Sequence, residues 1–542
     1  MTATGGPSER PEATGRGRDA TARWVLIVAT FALLVAYSFV QSPLPGVNEP
    51  HYLTKAKHYW QPSWCEGDLF LESANAHLVF YQTFGALAAV LPLPTAAVVG
   101  RLLASALLAW GWTRLTSRLL HRPSAGLLAL ALFLMLATLG NWSGEWLVGG
   151  VESKVPAYAL AFLGWSFLAD RRLVAVGVSF GLAVSFHPLV GGWFVVATAA
   201  AIVWGCLRDR SRKPDLRGED DASPSASAWA FAAAAFAAAS VFGLVPAVGL
   251  LVGTDPELAA EATRIQVVDR LPHHLDPTHF RRADHRLFGL LVTLWIAVGP
   301  FRRGAAAEGS DSHREAVDRL WVRTVVASLA IAAVGLLAAV GTAPVEELPL
   351  AGLRLAVLKF YLFRLADVLV PVAVAIAVTN RLDSISRSRR IAVALAAAIA
   401  CLAIPGVNRD AGRLSPAAEE RWLDVCEFIR TQTPADAVCQ TYGRPVAFKW
   451  HAQRPEYVSF KDMPQDAASL VEWQRRRRLV DAWPRTWQRP SGYGRKALDA
   501  LHRETGIDLL IVPSTARFAV PAIKRNTMYK VIPVTPREPD AE

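Results

Sequence analysis

The sequence predicts an α-helical polytopic membrane protein that ends in a soluble α/β domain. Three observations carry this. Apolar residues fill 52% of the 542 positions, Ala/Leu/Val-rich runs recur through the first three quarters of the chain, and the last quarter turns polar. Such a pattern belongs to a chain solvated by lipid, not to a water-soluble enzyme.

A helix needs roughly 20 residues to cross a ~30 Å hydrocarbon core. Runs that answer this need lie near 24–42, 96–116, 124–140, 156–170, 173–187, 189–206, 228–252, 286–301, 320–341, 360–379 and 391–405. They give about eleven predicted spans. Those at 156–170 and 173–187 are short, which asks for local thinning of the bilayer or burial within the bundle. Residues 1–22 form a polar, disordered N-terminus, and residues 23–405 the membrane domain. Arg10, Arg16, Arg18 and Arg23 precede the first run and place the N-terminus in the cytoplasm. The long apolar core of that run and its Pro-rich exit read as an uncleaved anchor, not a signal peptide.

The first outer loop, 43–95, contains an apolar stretch at 76–94 whose placement decides every later loop. If it crossed, the basic groups Arg114/Arg118/Arg122, Arg171/Arg172, Arg208–Arg217, Arg302/Arg303 and Arg387/Arg389/Arg390 would nearly all lie outside. Kept on the outer face, it leaves them all cytoplasmic, as positive charge prefers. The stretch is therefore read as a helix in the outer interface or re-entering it, ended by Pro92 and Pro94.

The formal charge of +11 comes mostly from those short clusters between apolar runs, which excludes a nucleic-acid groove. The same topology sorts the histidines. Only His121 and His313 of the twelve fall in cytoplasmic loops.

Residues 406–542 form the predicted extracytoplasmic domain. Trp422, Val425, Cys426 and Ile429 give 419–432 helical spacing, whereas Val438–Thr441, Ala447–Trp450 and Leu509–Pro513 read as strands. Helix and strand in alternation suggest a small α/β layer. Cys426 and Cys439 either pair or stay free, and spacing does not choose between them.

No phosphate-binding glycine loop, zinc CxxC pair or nucleophile elbow is present, which disfavours nucleotide-driven pumping and serine hydrolysis. What remains is a set of outward loops. Asn48-Glu49-Pro50-His51-Tyr52 runs on to Asp68, and Gly149-Gly150-Val151-Glu152-Ser153-Lys154 follows the third run. His187 breaks an apolar stretch before Pro188. Further on come His273-His274-Leu275-Asp276 and the segment from Lys359 to Arg364 and Asp367.

An N-in first span, a long acidic outer loop with interfacial helices, and Val99-Gly100-Arg101-Leu102-Leu103 opening the next span resemble the GT-C superfamily. These are membrane glycosyltransferases that use polyprenyl-phosphate sugars, such as protein O-mannosyltransferases and the aminoarabinose transferase of lipid A. The motifs Asn-Glu-Pro-His-Tyr, Gly-Gly-Val-Glu-Ser-Lys, Leu-Pro-His-His-Leu-Asp-Pro and Val458-Ser459-Phe460-Lys461-Asp462 to Glu472-Trp473 resemble those of a bacterial family of GT-C-like polytopic proteins.

The resemblance implies transfer of a sugar from a polyprenyl-phosphate donor at the outer face of the bacterial cell membrane. It assigns Glu49 as the base that deprotonates the acceptor hydroxyl, with Asp68 assisting or joining Glu49 on a divalent cation. His51, Arg101, Glu152, Lys154, His187, His273, His274, Asp276, Lys359 and Arg364 would surround the substrate, the basic ones near the phosphate. Many relatives carry aspartate in the first acidic motif, where this chain has Asn48-Glu49.

Plainer roles stand beside these. Glu49 and Asp68 suit helix caps, Glu152 and Lys154 a local ion pair, and Arg364 and Asp367 mutual pairing on one helical face. Arg101 suits snorkelling, and Arg475–Arg478 a solvated face or a contact with anionic headgroups. Arg454, Lys461, Glu472 and Trp473 read either as a carbohydrate-binding face or as ordinary fold contacts, with fold contacts favoured. A transporter or flippase is the rival reading, although no inverted repeat or charge ladder supports it. A non-catalytic envelope-assembly protein is the third.

Overall fold

The computed structural model describes residues 12–210, 225–299, 312–404, 414–442, 447–483 and 493–535. Arg302, Arg303 and residues 211–217 of the predicted basic loops lie outside these, as do residues 1–11. The chain is mostly helical. Helix α1 (Glu12–Gln41) begins well before the predicted span, because helix extends cheaply from an apolar nucleus once formed. Helix α2 (Glu49–Trp60) starts the first loop, followed by the short helices α3 (Leu69–Glu72), α4 (Leu78–Gln82) and α5 (Leu87–Val90).

The 76–94 stretch is thus broken into pieces of five residues or fewer. A five-residue piece rises only ~7.5 Å, far short of a crossing. Instead Phe80, Tyr81 and Ala88 pack with Tyr52, Leu53 and Ala56 of α2.

Every other predicted run is a helix. They are α6 (Leu93–Leu119), α7 (Gly126–Leu139), α8 (Lys154–Ala169), α9 (Leu173–Phe186), α10 (Pro188–Arg210) and α11 (Ala226–Gly249). After the short α12 (Pro256–Arg264) and α13 (Pro272–Leu275) come α14 (Arg282–Val298), α15 (Ser312–Ala339), α16 (Ala351–Leu358), α17 (Arg364–Arg381) and α18 (Arg387–Ala403). Among the described residues five helices are long and apolar enough to cross a membrane: α1 from Thr21, α6, α10 to Arg208, α11 and α15. Helices α8 and α9 are shorter. Burial of nearly every α8 residue shows why a short apolar helix suffices in the centre of a bundle. Helix α9 meets α11 through Gly177 and Gly181, where an added Cβ would strike the α11 backbone.

The two ends of the bundle differ in chemistry. At one end Arg114 and Arg118 hold Asp170, while His121, Arg122 and Arg390 surround Asp383. At the other end α6 presents Arg101 to the first loop.

The C-terminal part builds a four-stranded sheet in the order β1 (Cys439–Thr441), β2 (Leu509–Pro513), β4 (Tyr529–Pro533), β3 (Lys524–Arg525). β1 runs parallel to β2 with Cys439 opposite Leu509, and β4 runs antiparallel to both β2 and β3. Alternation along β2 decides the two layers. Leu509 and Ile511 face α19 (Pro416–Gln432), and Leu510 and Val512 face α21 (Ala467–Ala482) and α22 (Arg495–Thr505).

Ala447–Trp450 is not the expected strand. Ala447 adopts a left-handed backbone (φ 64°) that opens the short helix α20 (Phe448–Ala452), and this turns Lys449 into a cluster of acids. β3 and β4 were not expected from the sequence. Cys426 and Cys439 are buried in one apolar layer and unpaired, as are all five cysteines. Denatured, unreduced protein should therefore react with five equivalents of a thiol reagent. Three equivalents would show that Cys426 and Cys439 pair.

Candidate functional site

Helix α2 opens with Pro50 in its first turn, where proline's fixed φ is already helical, and this sets Glu49 at the helix start. The carboxylate is fully buried. Arg101 donates from Nε to Oε1 (2.5 Å) and from Nη2 to Oε2 (2.7 Å). The amides of Gly46 (2.6 Å) and Val151 (3.0 Å) complete the cage. Gly150 makes it possible, since a Cβ there would lie 2.7 Å from Glu49 Cγ.

A carboxylate offers about four lone-pair positions, and four donors occupy them. Glu49 therefore lacks the free lone pair that the expected base requires. Arg101, in turn, does not snorkel to a headgroup; its Nη1 donates to Ser42 O at 2.5 Å.

Asp68 sits in a second cage. Its Oδ1 caps α3 by accepting from the Phe70 and Leu71 amides, each at 3.1 Å, and its Oδ2 accepts from the Glu456 amide (3.0 Å). Lys449 stands 3.2 Å from the same oxygen, 3.6 Å from Glu456 and 2.7 Å from Asp462. His51 completes the group, 3.1 Å from Asp462.

Burial pushes the Glu456 carboxyl up to about 7. Burial also works to raise Asp462, but Lys449 and His51 outweigh it and hold Asp462 well below the usual carboxylate range. Glu49 and Asp68 thus belong to separate cages and do not form the shared cation site expected of them. Among the described residues no group of three or more His, Cys, Asp or Glu is placed to hold a metal.

A third group is built on the loop from Asn141 to Gly150. Asp367 on α17 fixes that loop by accepting from the Trp142 and Ser143 amides (2.8 Å each) and from Ser143 Oγ (2.6 Å). His274 fixes it from another side, with Nδ1 2.5 Å from Ser143 O. A carbonyl only accepts, so Nδ1 carries the proton and Nε2 is left as an acceptor. Burial holds this imidazole neutral, its pKa drawn down to about 3.

The loop so held delivers Glu145. One oxygen, Oε2, lies 3.0 Å from Arg364 and 3.6 Å from Lys154. The other, Oε1, is buried and without a hydrogen-bond partner, in a residue only 4% exposed. Lys154 also pairs with Glu152 (3.2 Å) and lies over the Trp146 ring at 4.3 Å. Glu152 accepts from Asn48 Nδ2 (3.1 Å), which ties this group to the residue beside Glu49. Arg364 reaches His187 Nε2 (3.3 Å), whose ring lies 5.0 Å from that of His77.

Arg364 and Asp367, three apart on one helix, do not pair with each other. Each serves the Asn141–Gly150 loop. The expected site residues Glu152, Lys154, His187 and Arg364 therefore converge, with His274 supporting the same loop. His273 stacks beside His274, 4.1 Å between ring centres.

Others stand apart. Asp276 caps a turn by accepting from the Thr278 amide (2.9 Å) and pairs with His279, and Lys359 lies over the Phe360 ring. The first is consumed by its own turn, and the second faces an aromatic, not an anion.

Sequence reasoning missed Glu145. The signal was present, since a lone acid in a Gly- and Trp-rich loop between two apolar runs meets the criterion that singled out Glu152. Lys461 Nζ lies 2.6 Å from Asn48 Oδ1, a contact between the C-terminal part and the first loop. Arg454 does serve the fold, donating to the carbonyls of Arg430 and Thr433. Arg475, Arg476 and Arg477 pair with Glu472 and Asp481 on their own helix.

Residues 420–480 match a family model described as a domain of unknown function, DUF6798. Comparison with curated proteins finds no match. Among solved structures the chain is similar to the arabinofuranosyltransferase AftD from Mycobacteria, at 14% identity and a TM-score of 0.48. That similarity covers 96% of this chain and 40% of AftD, so the chain spans well under half of AftD's length.

It is also similar to ArnT from Cupriavidus metallidurans bound to undecaprenyl phosphate (14% identity, TM-score 0.40, 95% of this chain and 98% of that one). A third similarity is to the archaeal oligosaccharyltransferase AglB from Archaeoglobus fulgidus (12% identity, TM-score 0.36, 92% and 70%). All three are GT-C glycosyltransferases.

Proposed function

We propose that this chain is a membrane glycosyltransferase that moves a sugar from a polyprenyl-phosphate donor to an acceptor hydroxyl. The observation that carries the proposal is Glu145, a buried carboxylate with one oxygen held by Arg364 and Lys154 and the other free to accept a proton. Undecaprenyl phosphate, the lipid named with ArnT, is the donor lipid class that suits the two cations.

In the reaction the acceptor hydroxyl gives its proton to Glu145 Oε1 as its oxygen bonds the anomeric carbon. The bond from that carbon to the phosphate oxygen breaks, and the polyprenyl phosphate leaves with the electron pair. Lys154 and Arg364 balance the charge that gathers on the phosphate, a role suited to fixed cations in a dry site. Glu49 acts as a positioning residue, locking the start of α2 to the 149–151 loop through Arg101. No step is routed through a divalent cation, because Glu49 and Asp68 are each engaged by the donors of a separate cage.

Membership of the GT-C superfamily is part of the same proposal, as are eleven spans, a cytoplasmic N-terminus and a site on the outer face. The basic clusters at the Arg114, Asp170 and Asp383 end support that orientation.

Purified protein in lipid vesicles, supplied with a panel of undecaprenyl-phosphate sugars, tests the activity. Free undecaprenyl phosphate should appear one for one with glycosylated acceptor. Movement of donor across the vesicle with none consumed would instead support the transporter reading.

A further inference from the structure

We infer that Lys461, carried by the C-terminal part of the chain, is a ligand of the donor's phosphate, so that the helical bundle does not complete the site alone. The inference rests on the reading of the site as one for a lipid-linked sugar phosphate.

The turn that carries Lys461 is fixed from both sides. Arg270, at the end of a wide π-helical turn over Ile265–Arg270, donates to Phe460 O (2.9 Å) and Lys461 O (3.3 Å). Trp473 donates to Ser459 O (2.8 Å), and Asp462 is locked to Lys449 and His51. From this pinned turn the Lys461 side chain reaches the first loop, where it meets Asn48.

That partner is a neutral amide oxygen. Among the described residues Lys461 makes no ion pair, and Asp462 beside it is already engaged by Lys449. Two further contacts, Asn48 to Glu152 at 3.1 Å and Glu152 to Lys154 at 3.2 Å, connect Lys461 to the cation beside Glu145. Lys154 and Arg364 are paired with Glu145 and Glu152, whereas Lys461 is left with the field of Glu152 and Asp462 and no carboxylate in contact. A buried ammonium without a contacting carboxylate is costly, and an anion with several acceptor oxygens relieves it. A phosphate seated against Lys154 and Lys461 supplies that anion, with each lysine acting as a point charge. Burial first, then Arg270, draws Lys461 down to about 8, so its charge is sensitive near neutral pH.

The test uses the full chain in lipid nanodiscs, titrated with undecaprenyl phosphate. Lys461→Met should weaken binding about ten- to hundredfold, the range of one charged contact. Lys461→Arg should stay within about threefold of wild type. Asn48→Ala, which removes the present partner of Lys461 but not its charge, should also bind. Wild-type affinity should fall as pH rises past about 8, where the lysine gives up its proton, and Lys461→Arg should carry that limb to higher pH.

Several results would overturn the inference: unchanged binding by Lys461→Met, equal losses in Lys461→Met and Asn48→Ala, or a limb that Lys461→Arg does not move. Inorganic phosphate binding as tightly as the lipid would overturn the lipid-linked assignment. Wild-type protein that neither binds the lipid nor transfers sugar would bring down the proposed function and this inference together, whereas unchanged Lys461→Met binding beside a binding, active wild type removes the inference alone.

Discussion

Glu145→Gln is expected to lower turnover by about 10²- to 10⁴-fold, the usual contribution of a positioned proton acceptor. The amide is nearly the same size as the carboxylate and keeps an oxygen for Arg364 and Lys154, so the fold and the loop stay in place. What it loses is the basic oxygen. Donor affinity should be unchanged or improved, because a negative charge between two cations has been removed. The decisive signature is a fall in kcat with no rise in donor KM, the pattern of an interaction needed only in the transition state. A rise in KM at constant kcat would instead make Glu145 a binding residue.

Arg101→Met is expected to cost about 3–5 kcal/mol of stability, because it leaves the Glu49 charge buried without its partner. The double substitution Glu49→Leu with Arg101→Met should be milder than Arg101→Met alone, since no charge is then stranded. Unfolding midpoints of the three proteins in one lipid and detergent system check the order. If the double variant is the least stable, the pair is net stabilising and not only a position lock. Both variants carrying Arg101→Met should also lower activity, since the cage fixes Asn48 and, through it, Glu152.

Much of the helical layout was legible in the sequence, because a long apolar run has to bury its backbone polar groups in a helix. All eleven apolar runs are helices in the structure. The 76–94 stretch, expected as one helix, is instead a run of short pieces packed on α2. The C-terminal sheet was harder. Ala447–Trp450 has strand-like composition, but a left-handed residue and the demand of three carboxylates for a lysine turned it into helix. β3 is two residues long and leaves no periodic trace.

The site was legible by region and not by role. Loops 48–68, 149–154 and 187, with Arg364, were found, but which acid is free depends on partners distant in sequence. Arg101 is 52 positions from Glu49, and Arg364 lies far beyond Glu145. No local pattern reveals that Arg101 saturates one carboxylate while Arg364 and Lys154 leave an oxygen of another unclaimed. The contact of Lys461 with Asn48 was hidden for the same reason, since it joins residues 413 apart.

Glu145, not Glu49, is proposed to receive the acceptor's proton. Single-turnover transfer from a saturating undecaprenyl-phosphate sugar, run with folded Glu145→Gln, folded Glu49→Gln and wild type side by side, tests it most directly. Glu145→Gln should bind donor and fail to transfer, while the folded fraction of Glu49→Gln should still turn over. Wild-type rates from Glu145→Gln, with a folded Glu49→Gln that binds donor and does not react, would contradict it.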